Sequence, residues 1–215
     1  LPYDMITACE GSVPCDDLGE CGKGSCYVGI DIGRRHDLFV LWVLEKQGDV
    51  FVERELIAEK GLSFAAQEEF LQTAMMKYRP VRVCIDQTGM GEQFTERAKE
   101  NYGSYTVEGI LFNTATKLDL ANNLRRNFEE KSLRIEAGNK ILRDDLHSLK
   151  RTTTSAGNVR FVADRNENGH ADRAWALALA LHAGQSEHQP FEYESIEKCE
   201  WDDDCVWDDG LAWDE

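Results

Sequence analysis

The feature that most constrains this chain is a short apolar strand that ends on a carboxylate and runs into a glycine-containing turn, Tyr27-Val28-Gly29-Ile30-Asp31-Ile32-Gly33. A second stretch of the same kind is Val81-Arg82-Val83-Cys84-Ile85-Asp86, followed by Gln87-Thr88-Gly89-Met90-Gly91. A third acid, Asp172, opens an apolar helix at Gly169-His170-Ala171-Asp172-Arg173-Ala174-Trp175. Three acids that are far apart in sequence, each at the end of a predicted element, indicate one shared site.

The apolar patterning predicts an α/β fold, with a mixed sheet flanked by helices. Strands over 27–32, 38–45 and 50–58 are joined by short turns and predict an antiparallel meander. A helix over 63–78, a strand over 81–85, a helix from 91 and a strand over 105–112 follow. Later elements are a helix over 114–131, a strand over 133–135, a helix over 140–150, a polar hairpin over 151–163 and a buried helix over 171–183.

Charge is distributed unevenly along the 215 residues, whose net charge is −16. Residues 185–215 carry twelve acids against Lys198 alone, and residues 1–26 carry five acids against Lys23, so residues 27–184 are close to neutral. Local basic patches can therefore act in that region.

We predict a Cys-rich leader over 1–26, a catalytic domain over 27–184 and a flexible acidic tail over 185–215. No signal peptide and no membrane-spanning run of about 18 apolar residues is predicted.

Seven cysteines are present, and four of them lie in the leader: Cys9, Cys15, Cys21 and Cys26. Zinc knuckles usually contain pairs of cysteines separated by about two to four residues, and this spacing is wider. Three interpretations stay open for these thiols, namely a structural zinc site, a disulfide, or free thiols in a loosely packed leader.

Carboxylates at the ends of secondary-structure elements can hold metal ions that assist hydrolysis. Hydrolysis of a phosphodiester needs an activated water and a stabilised leaving oxygen, and two metal ions about 3.5–4 Å apart supply both. Mg²⁺ and Mn²⁺ prefer carboxylate oxygens to thiolates. We expect Asp31 to bridge two ions, Asp86 to hold one and Asp172 to complete the other. His170 and Asp37 are accessory candidates.

Each acid also has a structural interpretation. Asp31 could end a strand, Asp86 could form an Asx turn or cap a helix, and Asp172 could complement a helix dipole. The three acids together favour a metal site, because a buried helix such as 171–183 does not require an acid at its start.

The three motifs together resemble the nuclease domain of the large terminase subunit of tailed double-stranded DNA phages, of the Mu-like variety. The matching residues are Gly29-Ile30-Asp31-Ile32-Gly33-Arg34-Arg35-His36-Asp37-Leu38, Ile85-Asp86-Gln87-Thr88-Gly89-Met90-Gly91 and Gly169-His170-Ala171-Asp172-Arg173-Ala174-Trp175-Ala176-Leu177-Ala178. The resemblance covers about residues 27–184.

That resemblance implies an RNase H-like fold, in which Asp31, Asp86 and Asp172 bind two Mg²⁺ or Mn²⁺ ions and the hairpin lies beside the DNA. It also implies an endonuclease that cuts concatemeric double-stranded DNA with little sequence preference, in the host cytoplasm, with the portal and the small terminase subunit as partners. Large terminases also carry an ATPase domain, and the chain has no G-x-x-x-x-G-K-[ST] motif. We therefore expect a C-terminal fragment that is a monomer when isolated.

Basic residues supply candidate phosphate contacts, although most basic residues on helices are only solvated. The candidates are Arg34, Arg35, Lys117, Arg125, Arg126, Lys140, Arg143, Lys150, Arg151 and Arg160.

Three rival interpretations remain. A sugar-kinase or actin-like ATPase also begins with a Gly-Ile-Asp-Ile-Gly type of strand and turn, but it needs two such subdomains and leaves Asp172 without a role. A resolvase or transposase could use the same fold. In a docking module, the functional part would be the tail, which repeats tryptophans followed by acids at Trp201, Trp207 and Trp213.

Overall fold

The structure is a computed structural model that describes residues 1–12, 24–33, 38–153, 159–163 and 171–185. Within the hairpin, the side chains of Arg151, Thr153, Val159, Arg160, Val162 and Ala163 lie outside the description. The elements are α1 (Tyr3–Thr7), β1 (Glu10–Gly11), β2 (Ser25–Asp31), β3 (Leu38–Gln47), β4 (Val50–Lys60), α2 (Phe64–Tyr78), β5 (Arg82–Asp86), α3 (Gly91–Tyr102), β6 (Val107–Ile110), α4 (Thr114–Glu129), β7 (Leu133–Glu136), α5 (Lys140–Ser148), β8 (Leu149–Thr153), β9 (Val159–Ala163) and α6 (Asp172–Ala183). In these described ranges, no helix combines the length and the apolar character needed to cross a membrane.

Seven strands form one mixed sheet in the order β1-β7-β4-β3-β2-β5-β6. The strands β2, β3 and β4 pair antiparallel, which confirms the predicted meander. The strands β5 and β6 extend the sheet in parallel beyond β2, and β7 pairs parallel with β4 at the other side. The first eight residues of β3 are all buried, because helices cover both faces of this central strand.

The two faces of the sheet support separate apolar cores. Alternate residues of β2 and β3 point to opposite faces, so Tyr27 and Trp42 belong to one core and Val28 and Leu41 to the other. The first core contains residues of α4, α5 and α6, and the second contains residues of α2 and α3. This is the mixed α/β sheet flanked by helices that the sequence predicts.

Local signals in the sequence define the helix ends well. Ser63 caps α2, because its hydroxyl accepts a hydrogen bond from the Ala66 N–H at 3.2 Å. The helix ends at Tyr78, and Arg79 adopts a left-handed conformation immediately before Pro80. Asn113 and Asn139 cap α4 and α5 in the same way as Ser63 caps its helix.

The first twelve residues are not loosely packed, and that expectation is wrong for this part of the leader. Ile6 and Cys9 are fully buried in the core that contains α6. The two residues of β1 pair with β7 and make it an internal strand. Burial of apolar side chains therefore holds this segment on the domain. The boundaries at residues 26 and 185 stay predictions.

The described cysteines have different states, which argues against a single four-cysteine zinc site. Cys9 is a free thiol that donates a hydrogen bond to the Phe128 carbonyl at 3.6 Å, whereas Cys26 is disulfide-bonded. Cys15 and Cys21 lie outside the described residues. Cys84 is a second free thiol and is buried on β5.

The predicted hairpin is present as β8 and β9, which pair antiparallel as a separate two-stranded sheet. Its tip, residues 154–158, lies outside the described residues. Phe161 of β9 packs against the core that contains α4 and α6, and this contact attaches the hairpin to the domain.

Candidate metal centre

Asp31 and Asp86 are the last residues of two neighbouring parallel strands. Ile30 pairs with Ile85 in the register, so the two aspartates that follow occupy adjacent positions at the carboxyl edge of the sheet. Neighbouring strands are separated by about 4.8 Å. Both aspartates are partly buried, and strand alternation directs them to the face on which Tyr27 and Cys84 enter the α6 core.

Asp172 is the first residue of α6, which packs on this same face of the sheet. The helix crosses β2 at very close range, because a Cβ added to Gly29 would lie 2.2 Å from both the Ala176 carbonyl oxygen and the Ala180 nitrogen. Gly29 is two residues before Asp31, so this contact brings the beginning of α6 towards the carboxyl edge. One carboxylate oxygen of Asp172 is buried from solvent.

The start of α6 is fixed by contacts that the sequence did not predict. Ala171, which precedes the helix, has a φ of +63° and provides no side-chain cap. The Trp42 indole N–H donates to the Arg173 carbonyl at 3.0 Å, and the Arg173 guanidinium donates to Asp145 at 3.0 Å. Arg173 and Asp145 are almost fully buried, so this ion pair joins α5 to the first turn of α6. No local sequence signal could reveal it, because the partners are 28 residues apart.

The turn after β5 holds the Asp86 carboxylate. The Thr88 N–H donates to Asp86 Oδ1 at 2.9 Å, and the Thr88 hydroxyl accepts from the Phe112 N–H at 3.0 Å. Gly91 is required at the start of α3, since an added Cβ would lie 1.9 Å from the Asp86 carbonyl oxygen. The Asx turn weighed as a structural role for Asp86 is therefore present, and it leaves the residue at the proposed site.

Lys117 lies beside this acid edge in the first turn of α4. Its ammonium is 5.0 Å from the ring centroids of both Phe112 and Trp175, and the two rings are 5.5 Å apart. Aromatic faces attract cations, so the pair of rings restricts the position of the lysine head group. The lysine is close enough to Asp86 to act on the pKa of that carboxyl.

Burial raises the pKa of Asp86 above its ordinary value. The hydrogen bond from Thr88 and the charge of Lys117 act in the opposite direction and lower the pKa. A bound cation would stabilise the ionised form further. Burial has therefore removed water from the Asp86 carboxylate, and a cation can take the place of that water.

The donor set fits hard divalent cations, because three aspartates offer oxygen ligands and leave room for water. Within the described ranges, Cys84, Glu108 and His182 form the group whose donor atoms all lie within 4.8 Å of one another, and the three aspartates do not form such a group. At least one pair of ligand oxygens among the three aspartates is therefore more than 4.8 Å apart.

The remaining predicted residues are placed unevenly. His170, Asp37, Arg34 and Arg35 lie outside the described residues, as do the side chains of Arg151 and Arg160.

Arg125 and Arg126 are exposed on α4, about 12–14 Å along the helix axis from Lys117. Arg125 pairs with Glu129 at 2.6 Å, and Arg143 is bound by both carboxylate oxygens of Glu10. Lys140 and Lys150 are exposed. Of the predicted basic residues whose side chains are described, Lys117 is the one that borders the acids.

Comparison with known families decides the identity of this architecture. The family model described as the terminase RNaseH-like domain matches residues 28–183. The chain belongs to this family. The match lies within the predicted domain, 27–184, and contains all three aspartates.

Relatives of this terminase-family chain include the protein named terminase, ATPase subunit, of Escherichia phage P2. It is 28% identical over 170 residues, which cover 74% of this chain and 28% of that protein. The chain therefore spans less than a third of the length of this relative.

Solved nuclease domains of large terminases share the fold. That of thermophilic phage G20c with bound magnesium has a TM-score of 0.65 at 22% identity, covering 76% of this chain and 83% of that chain. The domain of Thermus phage P74-26 has a TM-score of 0.65 at 20% identity, and the match covers 83% of this chain and 92% of that chain. The domain of bacterial virus Sf6, with manganese and beta-thujaplicinol, has a TM-score of 0.66 at 11% identity, and the match covers 85% of this chain and 97% of that chain. The RNase H-like fold predicted from the sequence is thus confirmed.

Proposed function

We propose that this chain is the metal-dependent endonuclease domain of a phage DNA-packaging terminase, and that it cuts concatemeric double-stranded DNA with little sequence preference. The observation that carries the proposal is the placement of Asp31 and Asp86 at adjacent register positions, on the face where α6 packs with Asp172 at its start. Family membership supports it, and so do relatives solved with magnesium or manganese.

Each aspartate has a separate role in this proposal. Asp31, on the strand next to both β3 and β5, would bridge two Mg²⁺ or Mn²⁺ ions. Asp86 would hold one ion while its Oδ1 accepts the Thr88 N–H, and Asp172 would complete the second site. When bound, the ions lower the pKa of a water nucleophile and stabilise the charge on the leaving oxygen.

Lys117 would contribute a fixed positive charge next to the metal ligands. The two aromatic rings hold its ammonium without neutralising the charge, so it stays available to a phosphate group. A phosphodiester in the site would gain one electrostatic contact, and this contact would strengthen as negative charge develops in the transition state.

Low sequence preference follows from the kind of contact available. Lysine and arginine contacts to phosphates carry no sequence information directly, whereas sequence is read mainly at base edges in the grooves. We propose that Arg34, Arg35, Arg125, Arg126, Lys150, Arg151 and Arg160 act on the DNA backbone. The hairpin of β8 and β9 would lie beside the DNA path.

The test is nicking of supercoiled plasmid by the full chain with Mg²⁺ or Mn²⁺, in parallel with the Asp86→Asn variant. Asp49→Asn is the matched control, because Asp49 is exposed in the turn at the opposite end of β3. We expect metal-dependent nicking that chelator abolishes, that Asp86→Asn reduces by at least about a hundredfold, and that Asp49→Asn leaves unchanged. Nicking that proceeds in chelator, or that Asp86→Asn does not reduce, would refute the proposal.

We further propose that the portal and the small terminase subunit are partners in the host cytoplasm, and that the tail supplies a docking segment. Residues 186–215 lie outside the described residues, and α6 ends before them at Ala183. Deletion of residues 186–215 should therefore leave nicking intact and abolish binding to a purified portal or small subunit. Unchanged binding after the deletion would contradict the docking role.

A further inference from the structure

A second cluster of metal-ligating groups lies beneath α6, separate from the aspartates. Cys84 of β5, Glu108 of β6 and His182 of α6 offer a sulfur, an oxygen and a nitrogen that all lie within 4.8 Å of one another. Cys84 pairs directly with Glu108 in the sheet register. Cys84 is a free cysteine with no exposed surface, whereas Glu108 and His182 are partly exposed and connect the cluster to solvent.

We propose that Cys84, Glu108 and His182 form a site for Zn²⁺ or a similar borderline-soft divalent cation, which fastens the C-terminal half of α6 to β5 and β6. A tetrahedral zinc ion with bonds of about 2.0–2.3 Å places its donor atoms about 3.3–3.8 Å apart. The Cys84 sulfur and Glu108 Oε2 are 3.9 Å apart, and no two of the three donor atoms are more than 4.8 Å apart, so the separations exceed these values by at most about 1.5 Å.

The chemistry of the donors distinguishes this site from the three aspartates. Thiolate and imidazole ligands select zinc and cobalt, whereas Mg²⁺ prefers oxygen ligands alone. Three protein ligands also leave a fourth position for water. Cys84 is two residues before Asp86 on the same strand, so the two sites would be about 7 Å apart along β5.

Two neighbouring groups set conditions on the site. Arg82 pairs with Glu108 through Oε2, which is also the oxygen that accepts a hydrogen bond from the Cys84 thiol at 3.9 Å, so a cation in the cluster would share this carboxylate with the guanidinium. The positive charge of Arg82 nevertheless opposes cation binding, so the affinity should be lower than that of an all-cysteine site. Desolvation lowers the pKa of His182, so its ring is neutral and can donate a lone pair at pH 7.

The thiol must release its proton to solvent when the ion binds. Burial raises the pKa of Cys84 to about 12, so the free site contains the protonated thiol. Binding therefore exchanges one S–H bond for one metal–sulfur bond, with no oxidant or reductant involved.

The test is a Co²⁺ titration of the full chain in excess Mg²⁺, which keeps the aspartates occupied. Coordination by a thiolate produces a near-ultraviolet charge-transfer band that carboxylates cannot produce. We expect this band at one Co²⁺ per chain, its loss in Cys84→Ser and in His182→Gln, and its retention in Cys9→Ser, the control for a buried free thiol elsewhere. Zn²⁺ should displace the band.

A second measurement decides the case if Cys84→Ser fails to fold. Zn²⁺ at a hundredfold excess over its Kd should raise the melting midpoint of the wild-type chain by roughly 5–10 °C and should not raise that of His182→Gln. Absence of the band from the wild-type chain would overturn the proposal, as would a band and a zinc-dependent melting shift that both persist in His182→Gln. Neither readout depends on nuclease activity.

Discussion

The environment of Lys117 gives this residue a role that its charge alone does not. Many lysines of the chain are solvated at the surface, whereas the ammonium of Lys117 lies against the rings of Phe112 and Trp175. Those rings come from the segment between β6 and α4 and from α6, so the position of one cation depends on two parts of the fold. The sequence supplied the residue as one of ten basic candidates but could not single it out, because one of its two aromatic partners, Trp175, is 58 residues away in the chain.

Replacement of Lys117 with methionine should reduce the nicking rate by about tenfold to a hundredfold, because one stabilising charge at the phosphate is lost. The unbranched apolar side chain keeps the packing against the rings. DNA affinity in Ca²⁺, measured by fluorescence anisotropy, should fall much less than the rate. Lys99→Met, near the far end of α3, is the control and should change neither quantity. Equal rates for the two variants would contradict the role of Lys117.

Glu53 is a second residue whose environment has a measurable consequence. It is 6% exposed on β4, and burial raises its pKa from 4.5 to about 7, although it accepts the Glu136 N–H at 2.8 Å. Between these two pH values the folded chain holds a proton that the unfolded chain has released. The free energy of unfolding should therefore fall as the pH rises from about 4.5 to 7.

The Glu53→Gln variant should abolish this loss, since glutamine is neutral and can still accept the hydrogen bond. At pH 8 the variant should be more stable than the wild-type chain by roughly 2–3 kcal/mol, and at pH 4 the two should be nearly equal. Urea unfolding at both pH values checks this. Glu59→Gln, an exposed residue of the same strand, should show no such difference. If the wild-type chain is less stable than Glu53→Gln by the same free energy of unfolding at both pH values, the proposed effect of Glu53 is contradicted.

At the scale of elements, the packing of α6 on β2 organises the proposed site. The helix is buried along nearly its whole length, and Gly29 allows its backbone to approach the strand. The same helix carries Asp172 at one end and His182 near the other. A small displacement of α6 would therefore move a proposed ligand of each site.

The Gly29→Ala variant should force α6 away from the sheet, because its methyl group would clash with the helix backbone. We expect a loss of about 1–3 kcal/mol in the free energy of unfolding and a lower nicking rate, because Asp172 moves with the helix. Gly11→Ala is the control, since an added Cβ there meets no atom within 4 Å. Urea midpoints and plasmid nicking test both parts. A Gly29→Ala chain as stable as the control would show that the helix does not depend on this contact.

Elements with local signals were predicted well, and elements that depend on distant partners were not. The alternation in β4, the Ser63 cap and the apolar run of β3 are all readable within a few residues. The helix α1 and the strand β1 are short and are stabilised by β7 and the α6 core, so nothing nearby in sequence indicates them. The Cys84–Glu108–His182 group was missed for the same reason, because three elements bring it together.

For the molecule as a whole, the order of the strands explains why acids 141 residues apart can act together. Parallel pairing of β2 with β5 brings two strand ends to one edge, and α6 brings a third acid to the same face. The sequence predicted the residues and the type of site from acids at element ends. It did not predict the register that makes Asp31 and Asp86 neighbours.

The proposed chemistry depends most on a pair of divalent ions held by the three aspartates. Electron paramagnetic resonance during a Mn²⁺ titration tests it directly, because ions about 3.5–4 Å apart give a coupled spectrum that isolated ions do not. We predict two Mn²⁺ per chain with a coupled spectrum, which Asp31→Asn abolishes and Asp49→Asn preserves. A wild-type chain that binds no Mn²⁺ or only uncoupled ions, or a coupled spectrum that survives in Asp31→Asn, would contradict the claim.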